Sequence, residues 1–314
     1  MIGVLASVVP RAHLELGERS PFRGTAGFVA ALRESGWEDG KTVRIVWRSA
    51  EGRRDRHLAL ASELVRTPVD VIVCGGPAIT VAMQATRTIP VVAYLAYSPV
   101  ESAFAQSLAR PGGNLTGIAH AWPRGYHASK ALTLVKELSP RVSKVAVVEQ
   151  TGESADSYPH IQPRSAMDHA AKNLGLELFI VTFGDPATLP ELVRSAARQG
   201  AHAQLVESNY QIEYDRGIRE ALAGEAARLR IPAMHLALVG AANGALMSYG
   251  HNLDGLWRRA AYFVDRILRG ERPGDIPMEN PPSNPEFHLN RKAAQAMGLE
   301  IPRRVLLQAD RVFD

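Results

Sequence analysis

Residues 69–97 read VDVIVCGGPAITVAMQATRTIPVVAYLAY. The run Val69 to Cys74 is rich in β-branched residues, almost wholly apolar, and stops at Gly75-Gly76-Pro77. Ala78 to Thr86 follows with helix formers, and Ile89 to Ala96 is a second apolar run. A strand half-covered by the core alternates apolar and polar residues, whereas a strand covered on both faces does not. Strand, helix and strand in this order predict parallel strands in a sheet with helices on both sides.

The same grammar extends in both directions. Ile2-Gly3-Val4-Leu5-Ala6 is a buried strand. Gly24 to Gly36 is a helix with Phe28 and Leu32 on one face and a glycine stop. Val43 to Trp47 is a strand, and Arg56 to Arg66 an amphipathic helix. Val100 to Leu108 reads as a short helix, with Ser98 and Glu101 spaced as a capping box around Pro99. Arg110-Pro111-Gly112-Gly113-Asn114 is a turn cluster, and Leu115 to Ile118 is extended, as a crossover would be. The alternation then restarts. Helices are expected at Ser129–Leu138, Pro163–Leu174, Thr188–Gln199 and Ile218–Leu229, interleaved with strands at Lys144–Glu149, Leu176–Phe183, Ala203–Glu207 and Ile231–Leu236. Ala245 to Tyr249 is extended again. Asp254 to Arg269 is strongly amphipathic and ends at Gly270. Ile276 to Pro285 is a proline-rich connector before a last helix near Arg291 to Met297. The order βαβαβαβ is therefore written twice, which predicts an α/β chain of two Rossmann-like lobes with parallel sheets.

Composition agrees. The 314 residues are 46% hydrophobic and 22% charged, enough material for two cored domains. No apolar run approaches the length of a membrane-spanning helix. The lone Cys74 excludes a disulfide within the chain and thiolate-rich metal sites. The net charge of +4 invites a nucleic-acid reading. Only six of the 36 basic residues are Lys, and the Arg are scattered singly or in pairs beside acids, which reads as solvated surface. No nucleic-acid partner is expected. No basic and apolar leader precedes Ile2, so either the chain is cytoplasmic or an export signal has been removed.

Catalytic signatures fail. Gly40-Lys41-Thr42 lacks the earlier P-loop glycine, since position 35 is Ser35. There is no G-x-G-x-x-G, no G-x-S-x-G and no i, i+4 histidine pair. No catalytic residue, metal ligand or cofactor is expected.

Binding residues are sought where open α/β sheets hold ligands, beyond the carboxyl ends of the strands. Ser7 follows the first strand. Gly75, Gly76, Pro77 and Ala78 follow the third, and two readings stand for them: an ordinary strand-to-helix turn, or free amides at a helix start receiving an anion. Tyr97 and Ser98 follow the fourth. In the second lobe, Glu153, Tyr158, Ser208, Asn209 and Tyr210 follow strands, and Tyr249 lies in the extended return segment. Tyrosine offers a flat apolar wall with a polar tip, though it is also common at sheet edges.

The chain resembles the substrate-binding proteins of a family of ABC importers with the type I periplasmic-binding-protein fold, some of which bind tryptophan, tyrosine or phenylalanine. The resemblance rests on Phe28 to Trp37, Ala50 to Arg53, Val69 to Ala78 and Ile89 to Val92. It is strongest at Ser107 to Gly117 (SLARPGGNLTG) and Leu246 to Gly250 (LMSYG). It implies two lobes joined by three hinge crossovers, near Gly117-Ile118, Ser248–Gly250 and Pro277, closing on one small molecule. Lobe one would comprise 1–117 plus 250–277, and lobe two 118–249 plus 278–314. It further implies a monomer that is periplasmic or membrane-anchored outside the cytoplasm, with a small-molecule solute and an ABC permease as partners. Two departures bear on the ligand. Ser98-Pro99 and Ser208-Asn209-Tyr210 stand where amino-acid binders carry acids, and a buried ammonium wants a carboxylate. The expected solute is therefore small, and aromatic or carboxylate-bearing. The alternative is a ligand-sensing regulatory domain of the same fold.

Overall fold

β1 (Ile2–Ala6) is buried along its whole length, as its uninterrupted apolar sequence requires. It is an interior strand in the first of two units into which the chain divides, Met1–Ala121 with Asn252–Pro282. The second unit is Trp122–His251 with Ser283–Asp314. The computed structural model describes residues 1–7, 9–97, 99–100, 102–120, 126–150, 164–207, 216–280 and 285–314. Ser98, Glu101, Glu153, Tyr158, Ser208, Asn209 and Tyr210, singled out above, lie outside the described residues.

In the first unit, β1 pairs with β2 (Ile45–Ser49) and β3 (Val71–Cys74). β4 (Val91–Tyr97) and β5 (Leu115–His120) complete a parallel sheet of order β2-β1-β3-β4-β5. One face packs on α3 (His57–Arg66) and α4 (Pro77–Ala85), where Leu64, Ile79, Ala82 and Met83 meet Leu5, Ile72, Val91 and Ala93. On the other lie α2 (Arg23–Glu34) and α9 (Leu253–Leu268). A short α1 (Arg11–Leu14) precedes α2. Trp37 Nε1 donates to Asp265 at 2.8 Å, and Arg258 pairs with Glu34 at 2.5 Å, which fixes α9 against α2.

The family-like stretch Ser107 to Gly117 feeds β5. Asn114, buried, donates its amide to Ile89 O at 2.8 Å, and the Gly112 amide donates to Gly274 O at 3.0 Å. The connector from Ile276 runs beside β5: Thr116 Oγ1 donates to Ile276 O at 2.8 Å, and the Ala119 amide donates to Glu279 O at 2.7 Å. Arg259 grips the Glu279 carboxylate with two nitrogens, at 2.6 and 2.8 Å.

The expected helix over Val100–Leu108 does not form. The chain turns instead, with Ala103 in the left-handed region at φ +56°, which no continuous right-handed helix accepts.

The second unit carries a sheet of order β12-β11-β10-β9-β8-β6-β7. Its strands are β6 (Lys144–Gln150), β7 (Glu177–Phe183), β8 (Ala203–Val206), β9 (Ala233–His235), β10 (Met247–Gly250), β11 (Glu286–Asn290) and β12 (Arg311–Phe313). β6 to β10 are parallel, as expected. β11 departs from the all-parallel expectation and runs antiparallel to β10. α5 (Tyr126–Leu138), α6 (Arg164–Asn173) and α10 (Arg291–Met297) cover one face through Leu132, Val135, Met167 and Ala294. α7 (Leu189–Arg198) and α8 (Arg216–Leu229) cover the other through Val193 and Leu222. A short α11 (Arg303–Leu306) precedes β12.

Candidate functional site

The register of the first sheet brings three strand ends to one level. Leu5 pairs with Cys74 and Cys74 with Ala93. Ser7, Gly75-Gly76 and Tyr94 therefore follow side by side along the carboxyl edge, where parallel α/β sheets bind ligands. β4 and β5 run further, through Tyr97 paired with His120.

Ser7 is buried, and its hydroxyl lies 3.0 Å from Nε2 of His57 at the start of α3. That contact gives Ser7 a structural partner the sequence did not suggest. Gly76 is the N-cap of α4 with φ +57°, and Pro77 fills the first helical position. A left-handed N-cap favours glycine, and proline suits a position whose amide has no acceptor in the helix. No side chain caps α4, so its opening turn keeps backbone donors at the edge, Ala78 among them.

Gly75 is explained differently. Its backbone is not in the left-handed region. A Cβ there would lie 2.1 Å from Cζ of Tyr94 and 2.3 Å from Cε2. The close approach that glycine permits is made by the Tyr94 ring. That ring stacks on the indole of Trp257 in α9, with centroids 4.4 Å apart and planes 24° apart, and Phe28 meets the indole edge-on at 5.9 Å. Sequence reasoning passed over Tyr94 and Trp257, because the pairing of mid-strand Tyr94 with Gly75 depends on register.

Cys74 ends β3 fully buried, and desolvation drives its thiol pKa far up. It is a neutral core residue, not a thiolate nucleophile.

In the second unit Tyr249 is the next-to-last residue of β10 and lies inside the core, 5% exposed. Its ring meets His127 at the start of α5 at 5.8 Å, and His127 meets His251 at 4.9 Å, nearly perpendicular. Neither histidine was anticipated. Ser248 is used structurally: its hydroxyl donates to Leu238 O at 2.7 Å and accepts the Ala241 amide at 3.2 Å. On the α7/α8 face His235 is fully buried, and desolvation, with Arg219 adding to it, lowers its pKa from 6.5 to about 3. Gln204, on the same face, has neither amide atom hydrogen-bonded.

Among the described residues no cluster of three or more His, Cys, Asp or Glu is arranged to hold a metal ion. No helix there is long and apolar enough to cross a membrane.

Residues 19–313 match the family model described as ABC transporter substrate binding protein, and the chain belongs to that family. Proteins of this family bind a solute outside the cytoplasmic membrane for an ABC permease, a binding role. A tyrosine-binding protein of Clostridioides difficile (strain R20291) is 26% identical over 275 residues, covering 87% of this chain and 76% of that protein. Two solved structures share the fold. One is a conserved domain protein of Vibrio cholerae (TM-score 0.80, 22% identity, 99% of each chain). The other is an ABC domain in complex with L-Trp from Streptococcus pneumonia (TM-score 0.78, 23% identity, 99% of each chain).

Proposed function

We propose that this protein binds a small aromatic solute bearing a carboxylate and works as a monomer, without catalysis, at the outer side of the cytoplasmic membrane. The observation that carries the reading is the carboxyl edge of the first sheet. There an uncapped helix start at Gly76, Pro77 and Ala78 adjoins aromatic residues. Backbone amides with the helix dipole behind them favour an anionic group, and tyrosines supply an apolar wall with a polar tip. The named relatives, one tyrosine-binding and one holding L-Trp, support an aromatic solute. Tyr97, Tyr158, Tyr210 and Tyr249 are the candidate walls, and Ser7, Ser98, Glu153, Ser208 and Asn209 are the candidate polar contacts. Ser98 and Asn209, in place of acids, favour a ligand whose charge is a carboxylate over one needing an ammonium partner.

A thermal-shift panel tests this with aromatic acids, aromatic amino acids and sugars. Stabilisation by aromatic acids, weakened in a Tyr97→Ala, Tyr210→Ala variant, is expected. Stabilisation by sugars alone, or undiminished binding by that variant, would overturn it.

A further inference from the structure

We infer that β7, the outer strand of the second sheet, is an edge at which two copies of this chain pair antiparallel. The inference goes beyond solute binding and does not rest on it; the monomer proposed above is the dilute form. β7 closes its sheet and is bonded on one side, to β6. The Glu177 amide donates to Ser143 O at 2.7 Å, with Glu177 level with Lys144. Alternate residues of a strand turn their amide and carbonyl to opposite sides. Glu177, Phe179, Val181 and Phe183 therefore face β6, and Leu178, Ile180 and Thr182 present theirs outward. Among the described residues no backbone hydrogen bond outside the ladder reaches those outward groups.

The other sheet edges are guarded. β5 takes the connector, the Ala119 amide donating to Glu279 O. β12 is three residues long and starts on Arg311, and β2 carries Arg48. A covering segment, short length and charged side chains are the means by which sheets refuse a further strand. β7 has seven residues, and its stretch 178–183 (LFIVTF) contains no charge, proline or glycine. Ile180, at its middle, is 45% exposed. Glu177 lies 3.3 Å from Nζ of Lys144, so the start of the strand carries no unbalanced charge to repel a second copy.

The edge is also complementary to itself. Its outward groups are centred on Ile180, so a two-fold axis there sets Ile180 opposite Ile180 of the second copy and Leu178 opposite Thr182. Each such pair exchanges two backbone hydrogen bonds. Glu177 then falls opposite Phe183, and no like charges meet. The strand offers seven residues a side, against about 20–30 in a standard interface, so the contact is weak and forms as concentration rises.

Sedimentation equilibrium of wild type, Ile180→Lys, Ile180→Glu and an equimolar mixture of the two variants tests this. The wild-type mass is expected to rise toward twice the single-chain value above about 100 µM. Each variant alone sets like charges opposite one another at the axis and is expected to raise the dissociation constant at least about tenfold, with an unaltered thermal midpoint. The mixture is expected to pair again, because Lys then meets Glu. A wild-type mass that stays at the single-chain value would overturn the inference. So would variants that associate as wild type does, or a mixture that pairs no better than its components.

Discussion

Ser7 and His57 hold one another inside the first unit, the imidazole Nε2 3.0 Å from the hydroxyl and both side chains buried. The pair ties the end of β1 to the start of α3. Removing one partner leaves the other desolvated, at a cost of about 1–3 kcal/mol. His57→Ala and Ser7→Ala are each expected to lower the urea midpoint accordingly. An unchanged midpoint in Ser7→Ala, with solute affinity reduced, would instead make that hydroxyl a ligand contact first and a structural one second.

Gly117 lies within the signature stretch, at φ +122°, and a Cβ on it would be 2.2 Å from the carbonyl oxygen of Ala93. That neighbour is backbone in the adjacent strand and cannot step aside. Gly117→Ala combines backbone strain with a steric clash and should cost at least about 3 kcal/mol. Chemical denaturation would read this as a large drop in midpoint, and a variant as stable as wild type would contradict the packing described.

His235 makes the second unit sensitive to acid. The unfolded chain takes up this proton near pH 6.5, whereas the folded chain holds out to about pH 3. Between those values the unfolded state binds more protons, so the contribution is fully present above about pH 6.5 and is lost as the pH falls toward 3. The slope reaches about 1.4 kcal/mol per pH unit. Urea midpoints at pH 7.5, 5.5 and 4.5 should fall less steeply for His235→Leu than for wild type. Parallel slopes would remove His235 from the account.

Gln204 is fully buried on the same face, with both amide atoms lacking a hydrogen-bond partner. An apolar residue of similar volume removes that desolvation penalty. Gln204→Leu is expected to raise stability by about 1 kcal/mol. A loss of stability of that size would show the carboxamide to be satisfied in solution.

The legible parts of this chain are those where local pattern and burial agree. β1, β3 and β4 read as unbroken apolar runs because helices cover both faces of their sheet, and α9 reads from its apolar stripe ending at Gly270. The false helix over Val100–Leu108 came from a capping-box spacing that says nothing of Ala103 turning left-handed. β11, which begins directly after the proline-rich connector ends at Pro285, was not read, although Phe287 and Leu289 alternate with polar neighbours and form its core face. Gly75 was read as part of an ordinary strand-to-helix turn or of an anion-receiving helix start, and the neighbour that lies against it is Tyr94 from the next strand. Such pairings are set by register, which a single sequence does not state.

The docking of α9 on α2 also constrains the order of events during synthesis. Trp37 and Asp265, joined at 2.8 Å, are 228 residues apart in sequence. At about 5–20 residues per second, a ribosome needs roughly 10–45 s to deliver the second partner after the first. Throughout that interval α2 lacks the helix that buries its Phe28, and the leading unit is unfinished. Nascent chains stalled before residue 250 should therefore remain open to protease in their first third, and completion of the amino-terminal core becomes a late, chain-length-gated step.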